Sequence, residues 1–76
     1  MTNLQSTIKV QLDQESQIGH RVTLVERLQR ISGVTEARFD SGNHRQLTIT
    51  FREGSLSPPT LLDFLATHNA PGTLSL

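Results

Sequence analysis

Residues 34–52 read VTEARFDSGNHRQLTITFR. Ala37 and Phe39 fall on alternate positions, and Leu47, Ile49 and Phe51 then alternate with Thr48, Thr50 and Arg52. Apolar residues at period two mark a strand with one buried side. Between the runs lies Ser41-Gly42-Asn43-His44, dense in turn residues. Two alternating runs around a glycine-containing loop predict a β-hairpin.

The flanks of the hairpin read as helices. On its N-terminal side Leu24, Leu28 and Ile31 recur at helical spacing, with Glu26, Arg27, Gln29 and Arg30 mostly off that stripe. The pattern predicts an amphipathic helix that starts near 17–19 and stops at Ser32-Gly33, where glycine can take the left-handed conformation. Further upstream Ile8, Val10 and Leu12 alternate with Lys9, Gln11 and Asp13, which predicts another strand. Residues 13–16 read as a turn, and residues 1–6 as a flexible polar tail. On the C-terminal side Ser57-Pro58-Pro59 is a helix-start signal, a capping hydroxyl followed by proline. Leu61, Phe64, Leu65 and His68 share one face of that helix, Asn69-Ala70-Pro71-Gly72 ends it, and Leu74 and Leu76 alternate in a last short strand.

The order is strand, helix, strand, strand, helix, strand. That is the α+β ferredoxin-like βαββαβ sandwich, with both helices on one face of a four-stranded antiparallel sheet and right-handed crossovers. One domain is expected over residues 7–76. Its buried set is predicted as Ile8, Val10, Leu12, Leu24, Leu28, Ile31, Ala37, Phe39, Leu47, Ile49, Phe51, Leu61, Leu65 and Leu74. The open face carries Lys9, Gln11, Thr48, Thr50 and Arg52, and the second and fourth strands form the edges. This topology sets the first strand–helix loop, the hairpin loop and the second helix–strand loop at one end, so His20, His44 and His68 are expected there together.

Composition narrows the function. A chain of 76 residues holds one thin core, since a domain of this size buries only roughly 60% of its unfolded surface. There is no cysteine, hence no disulfide, thiolate ligand or redox pair. Lys and Arg number 7 and Asp and Glu number 7, which leaves no basic surplus for nucleic acid. The aromatic residues are all Phe and amount to 4%, and the open face has none on which bases could stack. No apolar run approaches the roughly 20 residues that span a bilayer, so no direct membrane insertion is expected. The N-terminus lacks the basic start and apolar stretch of a signal peptide, so a cytoplasmic location is expected.

Few groups suggest chemistry. Gln17, Gly19, His20 and Arg21 surround a helix start, where backbone N–H groups and nearby cations favour a phosphate or carboxylate. Ser41, Ser55 and Ser57 occupy turns or caps for backbone reasons, and no nucleophile, base and orienter can be assembled, so no enzyme is expected. His68 reads as a half-buried residue near a helix C-terminus, and His44 as a solvated residue at the hairpin tip.

The spacing from His20 to Leu24, Leu28, Ile31 and Gly33-Val34, with Val10 and Leu12 ahead and Ala37, Phe39 and Asp40 behind, resembles the heavy-metal-associated domains of copper chaperones and P-type metal ATPases. The resemblance spans roughly residues 7–76 and implies the same ferredoxin-like fold. It departs at the chemistry. Gln17 and His20 stand at the two positions of the family's CxxC motif, Glu15 stands for the usual methionine, and Asn69-Ala70 for a glycine–aromatic pair. Soft Cu(I) coordination therefore does not carry over. The leading expectation is a domain that has lost the thiol site and works by protein contact, its exposed sheet edges or polar sheet face docking a protein partner or a second copy; by the resemblance, that partner would belong to a metal-transport system. One alternative is a histidine-based metal site at His20 and His68, with Zn, Cu(II) or Ni as the suited ions and His44, Glu15 and Asp13 as further candidates. A second is a small anionic-ligand sensor similar to the ACT regulatory domain, whose loop Asp13 and Gly19 resemble at longer spacing.

Overall fold

A computed structural model describes residues 4–75. Six elements follow in the expected order: β1 (Gln5–Leu12), α1 (Ile18–Gln29), β2 (Val34–Asp40), β3 (Asn43–Arg52), α2 (Pro58–Thr67) and β4 (Gly72–Ser75). The strands form one sheet in the order β2-β3-β1-β4, antiparallel at every junction. This is the ferredoxin-like arrangement, with β1 and β3 central and β2 and β4 at the edges.

Period-two burial explains the register. Val10 lies opposite Leu47 and Ile8 opposite Ile49, while on the other side of β3 Leu47 faces Phe39 and Ile49 faces Ala37. A slip of one residue would turn these rows to solvent. The helices close the core with pairs four residues apart, Leu24 with Leu28 from α1 and Leu61 with Leu65 from α2. Such pairs share one helix face. Leu12, Phe51 and Ala70 complete the buried cluster, against which Ile8, Ile31 and Phe39 pack half-buried.

Five details differ from expectation. Leu74 is 40% exposed although it sits opposite Val10, because β4 is an edge strand with a neighbour on one side only. Ala70, read as loop, is buried because its N–H donates to the Leu65 carbonyl at 2.8 Å and so folds the chain back under α2. The polar stretch read as a tail already pairs at Gln5, opposite Arg52 of β3, while residues 1–3 and Leu76 lie outside the described residues. The hairpin loop shrinks to Ser41-Gly42, since the Asp40 carboxylate accepts from the Gly42 N–H at 2.8 Å and the Asn43 side chain from the Arg45 N–H at 3.0 Å. Ser57 does occupy the N-cap of α2, but its hydroxyl meets the Thr60 hydroxyl at 2.9 Å and no backbone N–H.

α1 itself ends at Gln29, and the chain then turns through Gly33 at φ +102°. A Cβ there would stand 2.8 Å from Ser55 Cβ, so both the conformation and the space demand glycine.

Candidate functional site

The first loop, between β1 and α1, is held by backbone groups. Asp13 N–H donates to the Pro71 carbonyl at 3.0 Å, which fastens the loop to the segment leading into β4. Arg45 reaches across from β3, its Nε donating to Leu12 O at 3.0 Å and its Nη2 to Asp13 O at 3.1 Å. Arg21, one turn into α1, folds back and donates to Ser16 O.

His20 and His68 are brought together, but by one ring and one carbonyl. His20 Nε2 lies 3.0 Å from His68 O. A carbonyl only accepts, so Nε2 carries the proton and Nδ1 is the nitrogen left for any other partner. The His68 ring instead packs on Phe64, four residues earlier on α2, with centroids 4.3 Å apart and planes at 45°. Both histidines are half-buried. Asp13, Gln14, Glu15, Ser16 and His20 line one wall of a cleft of about 510 Å³, and Asn69, Ala70 and Pro71 line the other.

His44 stands apart from that pair. Its Nδ1 is 3.5 Å from Glu15 Oε1, with both side chains largely in solvent. The three histidines thus share one end of the molecule without meeting at a point. Among the described residues no group of three or more His, Cys, Asp or Glu side chains is placed to hold a metal ion. At the helix start, Gln17 is the N-cap of α1 without a side-chain capping bond, no acidic residue occupies the first turn, and Gly19 is exposed.

Two features escaped sequence reasoning. Arg45 is one: its targets are backbone carbonyls, which carry no residue signature. The other is an apolar side of α1. Ile18 is 71% and Val22 51% exposed, and together with Val25 and Phe39 they line a groove of about 330 Å³ that runs beside Asp40 and His44. A helical-wheel reading could have found it, because Ile18, Val22 and Val25 fall on one side of the Leu24–Leu28 stripe. Among the described residues no helix is long and apolar enough to cross a membrane.

No family model matches the sequence, and no curated protein matches it. Solved structures do match by shape. Oxidized MerP from Ralstonia metallidurans CH34 superimposes with a TM-score of 0.82 at 16% identity, over 96% of this chain and 100% of that one. The N-terminal domain of a potential copper-translocating P-type ATPase from Bacillus subtilis, in its Cu(I)-loaded state, gives 0.81 at 14%, over 93% and 88%. A copper binding domain from HMA7, a P-type ATPase, gives 0.80 at 10%, over 92% and 93%. At such identities the likeness concerns the fold. The chain has the heavy-metal-associated fold, carried by a sequence without cysteine.

Proposed function

We propose that this chain is a non-enzymatic protein-contact module on the heavy-metal-associated scaffold, with no thiol metal site, working beside a metal-transport system. The observation that carries the reading is the use of His20. Its Nε2 is committed to His68 O at 3.0 Å, so the position that resembles a family ligand serves as an internal tie between the first turn of α1 and the end of α2. Arg21 and Arg45 spend their donors on the first loop's carbonyls. A loop closed on its own chain suits a scaffold that presents a surface. The association with metal transport comes from neighbours of like fold, a copper binding domain from a P-type ATPase and the CopZ metallochaperone.

A second reading has one observation in its favour. His20 lines the same cleft as Asp13 and Glu15, whose nitrogen and oxygen donor types suit Zn, Cu(II) or Ni better than Cu(I) once an ion draws the side chains together. Thermal melts of the apo protein with each ion, and with phosphate, separate the readings. The protein-contact reading expects a flat series. A ligand that binds only the native state at a hundred times its Kd stabilises by about 2.7 kcal/mol, a rise of many degrees in a domain of this size. A metal-dependent rise abolished by His20→Ala would replace the first reading with the second, and a phosphate-dependent rise lost in Arg21→Ala would place an anion at the start of α1.

A further inference from the structure

The outer edge of β2 has no neighbour among the described residues, since the sheet order begins with it. Such an edge offers a row of unpaired backbone donors and acceptors to another strand. We propose that β2 pairs antiparallel with β2 of a second copy about a two-fold axis at Ala37, joining two sheets into one. The inference rests on the protein-contact reading and names its partner.

The charge pattern of β2 selects both the occupant and the register. Glu36 and Arg38 are exposed on the open face, on either side of buried Ala37. Within one chain they make only a loose contact, Arg38 Nε to Glu36 Oε1 at 3.8 Å. A two-fold at Ala37 sets Glu36 of each copy opposite Arg38 of the other, and the exchange makes two cross-strand pairs of opposite charge. Centring the axis on Glu36 would oppose glutamates, and centring it on Arg38 would oppose arginines. Like charges directly opposite are unfavourable. A slip of one residue would put the helices of the two copies on opposite sides of the sheet. A centre at Phe39 would oppose Arg38 and Asp40, but Asp40 lies beyond an irregularity of the strand and its carboxylate already accepts from the Gly42 N–H at 2.8 Å, which leaves Ala37 as the centre in the regular stretch Glu36–Phe39.

The helix layer agrees. α1 packs over β2. In this register the joined sheet carries the α1 helices of both copies on the same face, next to the seam. The flank of α1 that borders the end of β2 is the one that exposes Ile18 and Val22. The other edge lacks the charge pattern: β4 is Gly-Thr-Leu-Ser, with no charge to set a register.

Sedimentation velocity on the full chain, over a concentration series reaching about 1 mM, tests the pairing. Wild type is expected to dimerise. Glu36→Arg and Arg38→Glu should each remain monomeric at concentrations where wild type pairs. The double exchange Glu36→Arg with Arg38→Glu should restore the dimer, and an equimolar mixture of the two single variants should form the mixed dimer. Melting curves, expected to stay close to wild type at these exposed positions, separate loss of pairing from loss of fold. A dimer indifferent to the single reversals overturns the proposal. So does a wild-type chain that stays monomeric throughout. That second result leaves the broader protein-contact reading in place, because that reading falls only on a ligand-dependent rise in melting temperature.

Discussion

A hydrogen bond from a ring nitrogen to a carbonyl has to be weighed against the water it displaces. His20 Nε2 and His68 O lie beside an open cleft, so water can take up the carbonyl when the ring is removed. His20→Ala is therefore expected to cost about 1 kcal/mol, within the usual net value of one hydrogen bond, and to lower the midpoint by roughly 4–8 °C. Leu28→Ala removes a side chain with no exposed surface from the centre of the core and should cost about 2–5 kcal/mol. For a chain of this length the total is on the order of 4–11 kcal/mol, so the leucine change alone approaches unfolding. Urea denaturation of both variants checks the order. A loss at His20 as large as that at Leu28 would mean that the loop is folded by that ring and not merely tied by it. The clustering of the histidines at one end was readable in the sequence, because element order sets which loops are neighbours. Their bonding was not. His20 meets a backbone carbonyl and Arg45 meets two, and any residue type at His68, Leu12 or Asp13 would present the same oxygen.

Two backbones approach closely where β4 begins. A Cβ on Gly72 would stand 2.5 Å from Gln11 O and 3.0 Å from Leu12 Cα. Both are backbone atoms of β1 and cannot swing aside. Gly72→Ala should therefore push β4 away from β1 along the pairs Leu12↔Gly72, Gln11↔Thr73 and Val10↔Leu74, at a cost of about 1–3 kcal/mol. Hydrogen exchange is the measurement: amides of the β1–β4 ladder should lose protection while those of the β1–β3 ladder keep it. Unchanged protection in β4 would mean that the strand accepts a side chain at that point. Elements with a clear apolar period were legible from sequence, including β3 with Leu47, Ile49 and Phe51 and α1 with Leu24 and Leu28. The failures came where a neighbour overrides local pattern. Gln5 is polar yet pairs because Arg52 lies opposite, and Leu74 is apolar yet exposed because no strand lies beyond it. Ala70 is a single small residue whose burial follows from the positive φ of Asn69, which turns the chain after α2.

At the scale of the whole molecule, folding and association draw on different forces. The radius of gyration, 11.7 Å, is close to the roughly 11 Å expected of a compact chain of this length, so the apolar residues are packed into one core. Polar and charged side chains are absent from the buried class among the described residues. Stability therefore comes from apolar burial, on which screening has little purchase. Association is a different case. With seven positive and seven negative side chains, two copies approach without net repulsion. Pairing through β2 then draws on the exposed Glu36 and Arg38, and exposed charges are screened as the Debye length falls from about 10 Å at 0.1 M salt to about 3 Å at 1 M. Raising salt over that range should weaken the dimer several-fold in sedimentation equilibrium while the melting temperature stays level or rises slightly. A dimer strengthened by salt would shift the weight of the contact to Ile18 and Val22 on α1, since salt favours apolar burial and screens charge pairs.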